Sequence, residues 1–358
     1  MISTVFTLYF LTALSLAAHP TCLLLPPTDT SAIFYTLYTK TTTTRLSLQD
    51  HSVEKAKLAD TDTVVLYVHG YGGSYDDIGA LAIRKGYVNG TDDHNLILVD
   101  YSKLNGKIIG SNVVTLAIRY AKAVYCDLPK VSQKIVDFIK KILNKRPEIK
   151  RVHIIGISLG GQIAGKVGTL YKKATGRHLY RVTALDPAGP SFKNDPQIHP
   201  DSAEVVDVIH SNIGYYGYIK PMGTADFYMN NGVTQPSCIA NQTEVKRLLD
   251  KPYVNENFCS HGSSVLYFAA SIDNKLLAKP CKQIGEIVSD DQVNLLEVDE
   301  DNDNAISKTC NAHGTTTDDG RVVFGHHMSS STTGLFYAHV PDLYRYVGKL
   351  FNKFKPEL

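Results

Sequence analysis

Ser158 is the residue whose surroundings in this sequence point most directly to chemistry. It lies in the segment Gly156–Gly160, which reads Gly-Ile-Ser-Leu-Gly, after the apolar run Val152–Ile155 and before a helical pattern over Gly161–Tyr171. A serine between a strand and a helix, flanked by glycines that tolerate a strained turn, is typical of a nucleophilic serine. An ordinary glycine-rich turn can show the same five residues, so the interpretation depends on partners elsewhere in the chain.

A serine hydroxyl needs a base to become nucleophilic at neutral pH, and the base needs an acid that fixes its tautomer. Asp186 ends the next β-rich run and precedes a turn that reads Pro-Ala-Gly-Pro, so it is the candidate acid. His261 precedes an apolar helical pattern over Gly262–Ile272 and is the candidate base. Other histidines of the thirteen compete with it on sequence alone, namely His69, His153 and His210.

A second glycine-rich segment follows the first apolar run of the chain. His69–Gly73 reads His-Gly-Tyr-Gly-Gly. Glycines let backbone N–H groups approach a negatively charged oxygen, so the amide of Tyr71 can act together with the amide of Leu159 as an oxyanion hole. His69 would then shape the loop instead of transferring protons, and a simple tight turn is the alternative.

The elements that must position these residues alternate along the chain. From residue 63, short β-rich runs alternate with helical patterns, which predicts a mostly parallel sheet flanked by helices. The predicted strands are Thr63–His69, Asn95–Asp100, Val152–Gly156, Val182–Asp186 and Val205–His210. The helices predicted between them are Ser111–Tyr125 and Val131–Leu143. Asp186 ends a strand, and the carboxyl ends of parallel strands are where such sheets hold their sites.

Composition limits the class of protein. The chain has 358 residues, of which 43% are hydrophobic and 20% charged. This excludes a disordered chain, a collagen-like repeat and a miniprotein held by disulfides alone, because a chain of this size can bury a large core. With 37 basic and 35 acidic residues the net charge is +2, which argues against nucleic acid as a partner.

The amino terminus predicts export. The apolar stretch Val5–Leu16 is followed by Ala17, and Ser15 and Ala17 are the small residues that a signal peptidase site favours. We therefore predict a signal peptide over residues 1–17, a mature chain over 18–358 and secretion from the cell. A membrane anchor is the alternative, but the stretch is shorter than the roughly 20 residues of a spanning helix, and we expect no integral membrane span.

Cysteine usage agrees with export. An even number of cysteines in an exported protein indicates disulfides, and the absence of a CxxC pair disfavours zinc. We expect no metal and no cofactor. Six cysteines allow fifteen pairings. Proximity along the chain favours Cys238 with Cys259 and Cys281 with Cys310, which leaves Cys22 with Cys126. Asn89 and Asn241 begin glycosylation sequons.

Seven segments, in this order, resemble the pancreatic-type (neutral) lipase family, in the form found among secreted insect lipases and venom phospholipases. The segments are Val65–Tyr71, Gly156–Gly165, Leu185–Pro190, Val206–His210, Ala225–Tyr228, Cys259–His261 and Gly334–Tyr337. The resemblance implies one α/β-hydrolase domain with Ser158 as nucleophile, Asp186 as acid and His261 as base. It also implies that the amides of Tyr71 and Leu159 form the oxyanion hole.

The resemblance implies hydrolysis of fatty-acyl esters of glycerolipids at a lipid interface. This family carries its lid between the two cysteines that match Cys238 and Cys259, which 20 residues separate here. Within that segment Thr243 can cap a helix, and Val245, Leu248 and Leu249 fall on one face of it. A plain surface helix is the alternative for this segment.

A lid of this length favours a triacylglycerol lipase, because family members with phospholipase activity tend to have shorter lids. A phospholipase that removes the sn-1 chain is the alternative. A non-catalytic lipid-binding or yolk-type protein on the same fold is a third hypothesis. It is disfavoured because such relatives generally lose the serine or the histidine, and this chain retains all three proposed catalytic residues.

Two departures from vertebrate relatives limit the expected partners. Gln197, His199 and Ser202 stand where those relatives have calcium ligands, so we expect no such ion. Only 97 residues follow His261. This length predicts a chain without the extra carboxyl-terminal β-sandwich and without a colipase-like partner.

Overall fold

The computed structural model describes residues 22, 24–105, 112–230, 232–239, 255–281, 312–313, 320–340, 343 and 346. The predicted signal peptide, Asn241, the predicted lid helix from Thr243 to Leu249 and Cys310 therefore lie outside the described residues. Within this part of the chain, no helix is both long enough and apolar enough to cross a membrane.

Strands and helices alternate through most of the described chain. The strands are β1 Phe34–Tyr38, β2 Thr43–Leu46, β3 Thr63–Val68, β4 Asn95–Asp100, β5 Arg151–Ile157, β6 Leu179–Leu185, β7 Ala203–His210, β8 Ala225–Met229, β9 Leu276–Cys281, β10 Ala312–His313, β11 Val322–Phe324 and β12 Thr333–Ala338. The α-helices are α1 Ser52–Lys55, α2 Ile78–Asn89, α3 Ser102–Asn105, α4 Val113–Lys122, α5 Leu128–Lys145, α6 Leu159–Thr175, α7 Pro236–Ile239 and α8 Glu256–Asp273. Short 3-10 turns cover Thr30–Ala32, Pro200–Ser202 and Gly325–His327.

The described strands form one sheet in the order β11-β9-β12-β8-β7-β6-β5-β3-β4-β1-β2, and β10 pairs with β12. The strands from β12 to β4 in this order are parallel, and antiparallel pairs occur at the two ends. All five predicted strands are confirmed as β3 to β7. The mostly parallel sheet flanked by helices is the predicted α/β-hydrolase fold.

The central strands are mostly apolar because helices cover both faces of the sheet. On one face, α5 and α6 bury residues such as Phe138 and Val167 against the sheet. On the other face, α2 and α8 bury Tyr87 and Phe268. The site residues lie at the edge between these two layers, at the carboxyl ends of the strands.

The predicted helix Ser111–Tyr125 is confirmed only in part. Its α-helical portion is Val113–Lys122, and a π-helical turn over Ala123–Asp127 leads directly into α5. Pro129 has no N–H to donate to the carbonyl of Tyr125, so a regular α-helix cannot continue through this point. The turn is also fixed from outside, because Asp127 accepts hydrogen bonds from Lys122 and Thr28, both at 2.6 Å.

Two of the three predicted disulfides lie within the described residues and are confirmed. Cys22 is joined to Cys126 at the π-helical turn, and Cys238 is joined to Cys259. The second bond ties α7 to the first turn of α8. It therefore fixes the start of the helix that carries His261.

Candidate active site

Ser158 is the single residue between β5 and α6. Its backbone has φ 56° and ψ −123°, a conformation that residues with a side chain rarely adopt. The turn is held by the Ser158 N–H, which donates to the carbonyl of Leu185, and by the Ser158 carbonyl, which accepts from the N–H of Ala188. A Cβ atom at Gly156 would overlap the carbonyl of Gly160, so the tight turn requires glycine there.

Asp186 leaves β6 at the same edge of the sheet. Ile157 at the end of β5 pairs with Leu185 at the end of β6, and paired strands lie about 4.8 Å apart. Ser158 and Asp186 directly follow these two residues and therefore leave the sheet side by side. The Asp186 side chain is fully buried. Its Oδ1 accepts hydrogen bonds from the backbone N–H groups of Ser211 at 2.8 Å and Asn212 at 3.0 Å. These two donors leave Oδ2 free to face a third partner.

That partner is His261, in the second turn of α8. Its Nδ1 lies 2.5 Å from Asp186 Oδ2, and the residue is 7% exposed. If Nδ1 donates to the carboxylate, Nε2 is the nitrogen that remains to accept a proton. Asn255 caps the helix by accepting from the N–H of Phe258, which fixes the turn that precedes His261.

The structure therefore brings two of the three candidate catalytic residues into contact and places the third, Ser158, in the turn that follows the adjacent strand β5. No hydrogen bond joins the hydroxyl of Ser158 to the ring of His261 within the described part of the chain. Hydrogen bonds in catalytic sites are often long when no substrate is bound, so this geometry is compatible with the proposed roles.

The three competing histidines have other partners. His69 Nδ1 bonds to the carbonyl of Gly70, His153 bonds to Thr183, and His210 bonds to Asp226. Within the residues that the structure describes, none of the three bonds to Ser158 or Asp186. The choice of His261 over them is thus favoured by its contact with the candidate acid.

The glycine-rich loop lies against the candidate nucleophile. A Cβ atom built on Gly70 would lie 3.0 Å from Ser158 Cβ and 3.6 Å from Ser158 Oγ. The backbone N–H groups of Tyr71 and Leu159 have no described acceptor in the folded chain. Unpaired N–H groups beside a nucleophile are suited to hold a developing negative charge.

His69 supports this loop from behind. Tyr101 stacks on its ring at 4.1 Å, and the Tyr101 hydroxyl donates to the carbonyl of His69 at 2.7 Å. Burial raises the pKa of Tyr101 well above its usual range, so the hydroxyl stays protonated and remains a donor. The prediction that His69 shapes the loop agrees with these contacts.

Gln235 is a buried residue that the sequence reasoning missed. Its Nε2 donates to the carbonyl of Ser211 at 2.8 Å, and its backbone N–H donates to Ser260 Oγ at 3.0 Å. Ser211 also donates to Asp186, and Ser260 precedes His261 in the chain. Gln235 therefore links the loop that holds the candidate acid to the helix that carries the candidate base. A single buried amide has no periodic signature in the sequence, so no pattern pointed to it.

Gln197, His199 and Ser202, which stand where vertebrate relatives have calcium ligands, lie in a loop that the structure describes. Ser202 Oγ accepts from the N–H of His199, and the side chain of Gln197 donates to the carbonyl of Asp195. These neutral side chains are engaged within their own loop and provide no carboxylate cage of the kind calcium prefers. No cluster of three or more His, Cys, Asp or Glu that could hold a metal occurs among the described residues.

Comparisons with known proteins show the family of this chain. The lipase family model matches residues 24–291. Lipase member H of Oryctolagus cuniculus is 33% identical over 195 residues, which cover 53% of this chain and 38% of that protein. The phospholipase A1 of Vespa velutina is 32% identical over 224 residues, which cover 62% of this chain and 68% of that protein.

The chain spans about two fifths of the length of the lipase member H proteins that it matches, such as 39% of the one from Rattus norvegicus. Among solved structures, a dienelactone hydrolase from Anabaena variabilis aligns with 59% of this chain and 86% of its own at 12% identity and a TM-score of 0.32.

Proposed function

Because the chain belongs to the lipase family, we propose that it is a secreted serine hydrolase that cleaves fatty-acyl esters of glycerolipids. Triacylglycerol is the proposed substrate. The observation that carries this proposal is the 2.5 Å contact between His261 Nδ1 and Asp186 Oδ2, at the edge of the sheet where the strained turn presents Ser158.

In the first step, His261 Nε2 takes the hydroxyl proton of Ser158 as Oγ attacks the acyl carbonyl carbon. Asp186 stays ionised and stabilises the imidazolium that forms. The tetrahedral intermediate then collapses. The bond between the acyl carbon and the glycerol oxygen breaks, and the imidazolium gives its proton to that leaving oxygen.

In the second step, a water molecule attacks the acyl-Ser158 ester, and His261 takes a proton from this water. Collapse of the second intermediate releases the fatty acid, and the proton returns to Ser158 Oγ. In both steps the N–H groups of Tyr71 and Leu159 stabilise the negative oxygen, and loss of one such donor typically lowers the rate by about 100-fold or more.

Exposed apolar side chains near the site support a lipid substrate. Phe258 and Tyr216 are partly exposed and contact each other edge to face, with ring centroids 6.3 Å apart. The Tyr216 ring in turn lies 5.4 Å from the ring of His261. An acyl chain that reaches His261 would therefore meet these two aromatic rings.

A phospholipase that removes the sn-1 chain is the second candidate function. The similarity to the phospholipase A1 of Vespa velutina, of which this chain covers 68%, favours it. Secretion is part of the proposal in either case. It is supported by the apolar amino terminus and by the two described disulfides, which persist in oxidising compartments.

The first experiment tests Ser158. We expect Ser158→Ala to lower hydrolysis of a short soluble ester by about 10³-fold or more while the thermal unfolding temperature changes little, because the side chain is the nucleophile. A serine-directed organophosphate should label the folded wild-type chain and not the variant. Activity that survives the substitution would contradict the proposal, and equal loss of activity and stability would mark Ser158 as a structural residue.

The second experiment separates the two substrates. Mixed micelles that contain either triolein or phosphatidylcholine are offered to the wild-type chain, and the Ser158→Ala variant serves as the blank. Faster release of fatty acid from triolein is the expected result. Faster release from phosphatidylcholine would favour the phospholipase, and release from neither, together with no labelling, would favour a non-catalytic lipid-binding protein.

A further inference from the structure

Tyr216 has an unusual setting for a large side chain. It is 39% exposed, yet its ring lies 5.4 Å from the ring of His261 at an interplanar angle of 37°. The ring of Phe258 supports it edge to face at 6.3 Å. The aromatic side chain is therefore held at the opening of the site, against the candidate base.

The backbone of Tyr216 is held by two residues, and one of them, Asn212, also holds the candidate acid. Its N–H donates to Asn212 Oδ1 at 3.2 Å, and its carbonyl accepts from the N–H of Gly189 at 2.8 Å. Asn212 also donates its own N–H to Asp186. Residue 217, next in the chain, is a glycine that directly contacts the Asp186 carboxylate. The position of the ring is thus coupled to the geometry of the acid and base pair.

The chemistry of an aromatic ring gives this position a role. The face of a tyrosine ring carries partial negative charge and attracts a cation that lies within about 6 Å. In the proposed mechanism His261 becomes a cation in each chemical step, and Asp186 contacts only its Nδ1 side. A ring at 5.4 Å can stabilise that cation from another direction and limit the motion of the imidazole.

From these contacts we infer that Tyr216 is a positioning residue of the proposed hydrolase, which holds the His261 imidazole in place and stabilises its protonated form during catalysis. The inference rests on the proposed function. It differs from a role as a plain apolar wall of the substrate cleft, because a wall would act on substrate binding and not on the charge of the histidine.

The test compares Y216F, Y216L and Y215L on a short soluble ester such as p-nitrophenyl butyrate. Leucine keeps an apolar side chain but lacks the ring, whereas phenylalanine keeps the ring. Tyr215 is the matched control, because it is 51% exposed in the same turn and has no described ring contact with His261. We expect Y216L to lower kcat by about two- to fivefold with little change in KM, and Y216F to restore most of this loss.

The pH profile gives a second readout that a merely structural role would not move. If the ring stabilises the protonated histidine, its removal lets the neutral, active form persist at lower pH. The acid limb of kcat/KM in Y216L should therefore shift to lower pH relative to wild type and Y216F. Y215L should retain the wild-type profile.

Two results would overturn the inference while leaving the proposed function intact. One is a Y216L variant that raises KM alone and keeps the wild-type acid limb, which would make the ring a wall of the cleft. The other is equal behaviour of Y216L and Y215L. By contrast, a wild-type chain that hydrolyses no ester would refute the proposed function itself, and the inference with it.

Discussion

At the scale of single residues, the Asp186 carboxyl group is the most tightly enclosed part of the proposed site. Two backbone N–H groups and His261 occupy its oxygens, and Gly217 packs against it. A Cβ atom on Gly217 would overlap Oδ1 and would lie 2.7 Å from both Cγ and Oδ2. Glycine is required here by lack of space and not by backbone conformation.

We therefore expect Gly217→Ala to displace the Asp186 carboxylate and to lower kcat/KM by about 10- to 100-fold, since misplacement by about 1 Å in an active site can cost that much. Gly176→Ala is the matched control. Gly176 has φ 71° and nothing within 4 Å of its Cβ position, so alanine there should cost about 1 kcal/mol of stability and leave activity unchanged. Hydrolysis of p-nitrophenyl butyrate and urea unfolding measure the two effects. Full activity in the Gly217 variant would contradict the packing argument.

At the scale of elements, the sequence predicts the centre of the sheet well. The strands β3 to β7 are mostly apolar because they are buried on both faces, and these apolar runs can be recognised in the sequence alone. The turn from β5 into α6 around Ser158 follows from its glycines. Local periodicity carries no information on contacts between distant residues, so the pairing of Asp186 with His261, 75 residues later, depended on the family resemblance.

The parts that the sequence did not predict have physical reasons. The strands β10 and β11 have only two and three residues. Three of the pairings among β9 to β12 are antiparallel contacts at the end of the sheet, which no alternating strand and helix pattern indicates. The π-helical turn at Ala123–Asp127 depends on Pro129 and on contacts with a remote segment. Polar residues that support the site, such as Gln235, are chosen by the geometry of their partners and not by their neighbours in the chain.

Gln235 also gives a prediction at the scale of elements, because it joins α8 to the loop after β7 and to β8. Its Oε1 accepts from the hydroxyl of Tyr267 at 2.8 Å, and its Nε2 donates to the carbonyls of Ser211 and Met229. Gln235→Leu keeps a similar volume but leaves these buried groups unpaired. We expect it to lower the free energy of unfolding by at least about 2 kcal/mol.

Urea unfolding measures this loss, and Gln133→Leu on the exposed side of α5 is the control for the same change of side chain. The control should change the free energy of unfolding by less than about 0.5 kcal/mol, as surface substitutions usually do. Equal behaviour of the two variants would show that the buried amide does not connect these elements.

At the scale of the whole molecule, the carboxyl ends and the amino ends of the parallel strands lie near different features. The helix α2 begins next to the loop that packs against Ser158 and ends at Asn89, near the start of β4. The amino-terminal edge of the parallel strands is therefore the edge that presents Asn89. This residue is exposed, so a glycan there would project away from the proposed site.

We expect a chain produced through a secretory pathway to carry a glycan on Asn89, and Asn89→Gln to remove it without loss of hydrolytic activity. Endoglycosidase treatment followed by electrophoresis reports the glycan, and the Asn89→Gln,Asn241→Gln double variant gives the mobility of the unmodified chain. A secreted wild-type chain and an Asn89→Gln chain that migrate identically before and after treatment would contradict this prediction.

A buried histidine, His153, and a partly buried one, His326, connect distant parts of the chain on the face covered by α2 and α8. His153 bonds to Thr183 at 2.8 Å, and Nδ1 of His326 lies 3.1 Å from the hydroxyl of Tyr87. Burial lowers the pKa of His153 well below its usual range, and the nearby charge of Arg181 adds to the effect. Burial, together with His327 and Arg181, lowers the pKa of His326 to about 3. Both rings are therefore neutral in the folded protein near neutral pH.

Acid should destabilise the folded chain through these histidines. In the unfolded chain a histidine titrates near pH 6.5, so between about pH 6.5 and 3 the unfolded state binds a proton at His326 that the folded state excludes, and the lowered pKa of His153 acts in the same direction. The free energy of unfolding should decrease as the pH decreases through this window, by up to about 1.4 kcal/mol per pH unit for each ring. His326→Asn keeps an acceptor for Tyr87 and should reduce the slope by about 1 kcal/mol per unit, whereas His51→Asn on the surface should not. Urea unfolding at pH 4.5, 5.5 and 6.5 measures the slopes, and parallel lines for wild type and the His326 variant would show that His326 does not sense acid.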